Sequence, residues 1–225
     1  MPLLLGIETS TTVCSAALNK GNDIIIEKHI DNGYTHAENL PVFIRQLFEE
    51  TNFTMNDLEG VVISEGPGSY TGLRIGCSLA KGICYAKNIP LIAVNTLEAL
   101  AFNAIENHPG FDKYFPMLDA RRMEIYTAAF DNEFNNILPT QPVILDEINV
   151  SDFFKAEKLA IFGDGATKTY EILKDKMEVT VLNVLPNAGV MNKIGAKKLA
   201  SKSICDLAYF EPFYLKPFLG KKTTT

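Results

Sequence analysis

Metal-ligand spacing is missing from this sequence. Its three histidines are His29, His36 and His108, and no two share a helix face as H-x-x-x-H would place them. No nearby cysteine or carboxylate completes a ligand set, so no metal site is expected. The four cysteines, Cys14, Cys77, Cys84 and Cys205, contain no C-x-x-C. All stand among apolar or small residues, where cysteine behaves as a small buried hydrophobe. A reducing compartment without a disulfide framework is expected. No apolar run approaches the roughly 20 residues that span a bilayer. The opening Met1-Pro2-Leu3-Leu4-Leu5-Gly6 lacks a charged leader and reads as a first strand, not a signal peptide. A cytoplasmic protein with no membrane association is therefore expected. Basic excess is lacking too: 21 Lys+Arg stand against 27 Asp+Glu, a net charge of −6. That argues against autonomous nucleic-acid binding, which needs clustered positive charge to displace counterions. Lys216 with Lys221 and Lys222 forms a short lysine tail, read as solvated.

What is present is ordinary globular material. The chain has 225 residues, 47% hydrophobic and 21% charged, enough for one or two domains. The most informative segment runs from Ser64 to Gly76, Ser-Glu-Gly-Pro-Gly-Ser-Tyr-Thr-Gly-Leu-Arg-Ile-Gly. It joins the apolar run Val61–Ile63 to a helical stretch. A glycine-rich turn between strand and helix aims backbone N–H groups at whatever sits there and would welcome an anion. Yet no P-loop lysine follows, and G-x-G-x-x-G is not matched. Glu8, Ser10, Gly66, Gly68, Ser69, Tyr70 and Thr71 are the candidate anion or nucleotide contacts. Ser69 lacks a G-x-S-x-G setting and a histidine partner, so it is a turn ligand before it is a nucleophile. No catalytic residue is assigned.

Periodicity predicts strands over Leu3–Glu8, Val13–Leu18, Ile24–Ile30, Val61–Ile63 and Leu91–Val94. It predicts helices over Asn39–Glu50, Thr71–Lys87 and Thr96–Asn107. Thr35 with Glu38 forms a candidate capping box, while Pro41 favours a start near Asn39; both stay open. The pattern then restarts. Strands are predicted over Pro116–Asp119, Glu124–Phe130, Ile137–Leu145, Leu159–Phe162 and Val179–Leu182, and helices over Val150–Ala156, Ala166–Lys174 and Val190–Ser203. Each half reads strand-strand-strand-helix-strand-helix-strand-helix, and each first strand ends in an acid, Glu8 or Asp119. Such tandem α/β units, mixed five-stranded sheets flanked by helices, resemble the ribonuclease-H-like domains of the actin-like ATPase superfamily. Two unrelated mixed domains are the alternative. The expected division is 1–107 and 108–205, with 206–225 packing back on the first domain. The phosphate-admitting glycines of an active member are absent from both hairpins. Gly163-Asp164-Gly165 reads equally as a ligand turn or a plain one.

The helices around Leu40–Phe48 and Leu73–Tyr85 carry a broad apolar face and several glycines. A glycine inside a helix costs about 1 kcal/mol against alanine. Tight packing on the chain's own sheet is one reading, and one side of an intermolecular helix bundle is the other.

Several stretches match one family in order. They are Ile7-Glu8-Thr9-Ser10, Glu65–Gly76, Pro90-Leu91 with Thr96-Leu97-Glu98-Ala99, and Asp119-Ala120-Arg121-Arg122 with Glu124-Ile125-Tyr126. Gly163-Asp164-Gly165 and Pro212-Phe213-Tyr214-Leu215-Lys216 complete the set. Over nearly its whole length the chain resembles the TsaB (YeaZ) family. The resemblance implies a non-catalytic scaffold in the formation of N6-threonylcarbamoyladenosine beside the tRNA anticodon. Its partners there are the catalytic, metal-holding TsaD and the ATPase TsaE. It also implies a homodimer when alone, tRNA contact only through the complex, no intrinsic cofactor, and room for ATP or ADP at the partner interface. Pairing through the two helices would involve Leu40, Phe43, Ile44, Leu47, Leu73, Gly76, Cys77, Ala80, Lys81 and Cys84. On that view Ile44→Glu or Gly76→Leu breaks pairing and spares the fold. Glu8 stands where many members have Asp, and Lys216 where many have Arg. The competing classes are an actin-like small-molecule kinase and a metalloprotease-like hydrolase, the latter disfavoured by the missing ligands.

Overall fold

The computed structural model describes residues 1–33, 35–146 and 148–216; Lys221 and Lys222 lie outside them. In chain order the elements are β1 (Leu3–Glu8), β2 (Val13–Lys20), β3 (Asp23–Asp31), α1 (His36–Glu49), β4 (Gly60–Gly66), α2 (Tyr70–Lys87), β5 (Leu91–Asn95) and α3 (Thr96–Asn107). The second half repeats the order: β6 (Lys113–Asp119), β7 (Glu124–Phe130), β8 (Asn136–Ile144), α4 (Val150–Phe153), β9 (Leu159–Phe162), α5 (Ala166–Leu173), β10 (Thr180–Leu182) and α6 (Ala188–Ala200).

The two five-stranded sheets run β3-β2-β1-β4-β5 and β10-β9-β6-β7-β8. Renumbered within its half, the second sheet has the same order as the first. β1 pairs antiparallel with β2 and parallel with β4, and β6 does the same with β7 and β9. This is the duplicated ribonuclease-H-like plan of the actin-like fold. A central strand with neighbours on both sides and helices on both faces must be apolar throughout, which is why Leu3–Ile7 shows no polar alternation. β8 tolerates Pro139 and Pro142 because it is an edge strand.

Alternate residues of β1 point to different cores. Leu3, Leu5 and Ile7 pack with Leu40, Ile44 and Leu47 of α1 and Cys77, Ala80 and Cys84 of α2. Leu4 packs with Ala99 of α3 and with Met191 and Ile194 of α6. The second sheet has α4 and α5 on its outer face and α3 on its inner one. Helix α3 therefore packs on strands of both sheets, and α6 packs on the first sheet and on α3. The expected boundary at 107/108 falls in the α3–β6 loop. Nonetheless α6 packs on the first sheet, and Cys205 donates its N–H to the Leu91 carbonyl, so the chain returns to the first domain before residue 206.

Some element ends moved for identifiable reasons. Helix α1 begins at His36, but the Thr35 side chain makes no capping bond; it accepts instead from Asn39 Nδ2 at 2.7 Å. The capping box is therefore not formed. Helix α6 begins two residues before Val190 because the Asn187 side chain accepts from the Val190 N–H at 2.7 Å. Helix α4 stops after one turn, with Phe153 and Phe154 turned in against Phe115.

Candidate functional site

Two concave surfaces stand out. One is a cleft of about 870 Å³ between the domains. Its walls are the β1–β2 turn, the Pro67–Ser69 loop, the first turn of α2, the β6–β7 turn and the C-terminal residues Phe213–Lys216. Ser10, Gly68, Ser69, Tyr70 and Thr71 line it, as the sequence suggested. Glu8 and Gly66 do not: both are buried. They lie inward because β1 and β4 continue to those residues and keep them inside the sheet.

The glycine-rich loop does not present its donors as expected of an anion cradle. The Ser69 N–H donates to the Ser10 carbonyl at 2.6 Å, and the Ser69 hydroxyl accepts from the Gly72 N–H at 3.2 Å, capping α2. Gly72 lies so close to the first hairpin that an added Cβ would stand 2.1 Å from the Thr9 carbonyl oxygen. The loop is a corner clamped on the β1–β2 turn, with a cis Gly66–Pro67 peptide. Glu8 accepts from the Ser10 N–H at 2.6 Å. Burial raises its carboxyl above the ordinary range against the pull of the Ser10 hydroxyl and N–H and the Ser64 hydroxyl.

The second domain contributes charge. The Lys168 ammonium holds Asp119 Oδ1 at 2.5 Å and donates to the carbonyls of Arg122, at 3.0 Å, and Glu124. Burial pushes the Asp119 carboxyl up, but Lys168 and the Arg121 N–H outweigh it and hold the group below its usual range. The Asp119 N–H in turn donates to Asp164 at 2.8 Å. Arg121 and Arg122 sit at φ of 68° and 51°, the left-handed region that non-glycine residues avoid. Gly163-Asp164-Gly165 thus buttresses the β6–β7 turn. The acid that could hold a metal is spent on a lysine. Sequence reading missed Tyr126 and Tyr214 as cleft residues, and Lys168 as the partner of the cleft's Asp119. A lysine three residues beyond Gly165, on the helix after that turn, was the available signal.

The other surface is an apolar groove of about 560 Å³ on the outer side of α1 and α2. Ile44, Phe48, Phe53, Met55, Leu79 and Ile83 line it, and the exposed Arg45–Glu49 pair sits at its rim. The residues named from sequence for the interface are mostly elsewhere. Leu40, Leu47, Leu73, Gly76, Cys77, Ala80 and Cys84 are buried beneath the helices, and Ile44 is only 4% exposed. Phe43 is half-buried, and Lys81 is spent on the carbonyls of Ala208 and Phe210 at 3.2 and 3.1 Å. A 3.6-residue stripe marks the face turned to the chain's own sheet, so tight self-packing is the explanation for these residues. Gly76 is small because Thr9 Oγ1 would lie 2.4 Å from its Cβ; Gly82 has open space. Ile44→Glu and Gly76→Leu therefore damage the fold itself. The buried thiols are inert: desolvation pushes Cys14 up to about 11 and Cys84 up to about 12.

The family model for TsaD, tRNA N6-adenosine threonylcarbamoyltransferase, matches residues 32–209. The chain belongs to the TsaD family. Within it, the chain is similar to the tRNA threonylcarbamoyladenosine biosynthesis protein TsaB of Bacillus subtilis (strain 168), 34% identical over 146 residues, 63% of this chain and 62% of that protein. It thus spans less than two thirds of that relative's length. To TsaB of Haemophilus influenzae it is 24% identical over 95% of its length and 93% of the relative's. A Pseudomonas aeruginosa protein, described as similar to the peptidase YeaZ, superposes with a TM-score of 0.82. That match is 23% identical and covers 96% of this chain and all of the other, which establishes the shared fold. The TsaB (YeaZ) resemblance read from the sequence holds. No helix among the described residues is long and apolar enough to cross a membrane.

Proposed function

We propose that this chain takes part in forming N6-threonylcarbamoyladenosine in tRNA as the non-catalytic subunit that binds and activates the TsaD transferase. The observation that carries this reading is the apolar groove on α1 and α2. It is the kind of surface a partner helix covers, with apolar residues in the middle and charge at the rim. The relatives' printed names supply the pathway, and the family model supplies the transferase as a relative of the same fold. The cleft chemistry supports a scaffold over a kinase, because Asp119 is neutralised by Lys168 and Ser69 N–H by Ser10. Among the described residues, no three His, Cys, Asp or Glu side chains group as a metal site. TsaE is the proposed third component, the groove pairs two copies when TsaD is absent, and ATP or ADP binds, where it binds, at the partner interface. The site of action is the cytoplasm.

The test is a pull-down of the chain with TsaD and TsaE, followed by a tRNA modification assay omitting each component in turn. Modification should need TsaD together with this chain. Turnover of tRNA or ATP by the isolated chain, unaffected by TsaD, would overturn the reading.

A further inference from the structure

We propose that Phe213–Lys216 is a strap that ties the two domains together across the cleft and sets how far it opens. The covalent crossings between the domains are at 108–112 and 183–187. Residues of both, His108, Asn183 and Leu185 among them, line a separate recess rather than the cleft. The strap is a further non-covalent tie, on the cleft side, beside the packing of α3 against β6 and β7.

Its hold on the first domain is multiple. The Phe213 N–H donates to the Glu65 carbonyl at 2.7 Å, as a strand neighbour would. Gly66 lies so close that an added Cβ would stand 2.6 Å from the Phe213 carbonyl oxygen. The Tyr214 ring lies 4.9 Å from that of Tyr70, and the Arg74 guanidinium sits 4.2 Å from the Tyr70 ring. Upstream, Lys81 of α2 grips the Ala208 and Phe210 carbonyls. The hold on the second domain is the Lys216–Glu124 ion pair, with the Glu124 side chain 12% exposed. Glu124 follows the strained Arg121-Arg122 turn, so the strap ends on the cleft's far wall.

This asymmetry defines a latch. The anchored end stays on α2 and β4, while one partly exposed ion pair opens and closes. Such a pair shifts an equilibrium by roughly two- to five-fold, which suits a reversible tie.

The experiment is amide hydrogen exchange on the full chain, comparing wild type with Lys216→Glu, Glu124→Lys and the charge-swapped double variant. Each single reversal should speed exchange in the Asp119–Glu124 turn roughly two- to five-fold, and the swap should restore it. Lys216→Met, at an exposed position, reproduces the single-variant effect should Glu124→Lys fold poorly. Tyr214→Ala should free the strap from its anchored end and speed exchange at Leu215 and Lys216. Unchanged exchange in Lys216→Glu and Lys216→Met would overturn the proposal. So would an increase that a well-folded charge swap fails to reverse.

Discussion

Three glycines of α2 give the sharpest test of how this helix is used, because one substitution predicts three outcomes. Gly72, Gly76 and Gly82 share the helix, so glycine-to-alanine carries a similar intrinsic gain at the two interior positions, about 1 kcal/mol. The surroundings decide the sign. At Gly72 the new methyl would lie 2.1 Å from the Thr9 carbonyl oxygen, with the His36 ring at 3.1 Å behind it. Main chain cannot rotate away, so α2 must lift from the β1–β2 turn. Overpacking of this kind costs about 1–3 kcal/mol, sometimes more. At Gly76 the obstacle is Thr9 Oγ1 at 2.4 Å, a side-chain atom in a buried residue, which gives an intermediate loss. At Gly82 nothing lies within 4 Å, so the full gain is expressed.

The assay is urea unfolding of the three variants. With a slope of about 2 kcal/mol/M, Gly82→Ala should raise the midpoint by on the order of 0.5 M. Gly72→Ala should lower it by about 0.5–1.5 M, with Gly76→Ala between them. A Gly72→Ala variant as stable as wild type would refute the clamped-corner description of the glycine-rich loop. A destabilised Gly82→Ala would refute the exposure of that face.

The remaining predictions concern the groove and two carboxylates. Leu79→Glu, in the groove and half-buried, should abolish co-elution with TsaD with little loss of stability; undiminished co-elution sinks the groove as the interface. Ile44→Ala, at the groove's floor but in the core, should instead lower stability by about 2–5 kcal/mol in denaturant titrations. The Glu8 carboxyl is raised in the folded state, so folding retains its proton and stability falls as pH climbs from 4.5 through the folded value. Glu8→Gln, which keeps an oxygen for the Ser10 N–H, should flatten that decline in melting temperature. Asp119 has the opposite sign: its lowered folded value gives stability that is present above 3.8 and lost as pH falls below it. Asp119→Asn should remove that acid-side loss, and an unchanged acid limb would discount the Lys168 contact.

Much of the architecture was legible because it rests on local signals. Thr96–Asn107 and Glu124–Phe130 were delimited to the residue, one with its stop at Pro109-Gly110, the other by alternation. The cleft was half legible: the glycine-rich loop announced itself, whereas Tyr126 and Tyr214 reach it from 50 or more residues beyond that loop. Most of the residues expected at a partner face are buried in the chain's own core, for a physical reason. Leu40, Leu47, Ala80 and Cys84 recur at helical spacing because they bury, and a recurrence of that kind marks whichever face is most covered. The groove's Phe48 closes the periodic face of α1, whereas its Leu79 and Ile83 lie beside the small-residue face of α2.

The unequal halves explain why the groove lies where it does. Helices α3 and α6 occupy equivalent places and have 12 and 13 residues. Helix α3 packs on strands of both sheets, whereas α6 packs on the first sheet and on α3. The outer helices differ more between the halves. In the first half they reach 14 and 18 residues; in the second, α4 and α5 have 4 and 8. A strand of five to seven residues covers only about 17–23 Å, whereas an 18-residue helix extends about 27 Å. Helix α2 therefore overruns β4 and β5 beneath it, whereas α1, about 21 Å long, stays within the length of β2 and β3. Phe48, Leu79 and Ile83, with Phe53 and Met55 from the loop after α1, pack against the first core on one side and line the groove on the other. The second domain's outer helices are the shorter pair, and the apolar groove lies on the longer pair of the first domain.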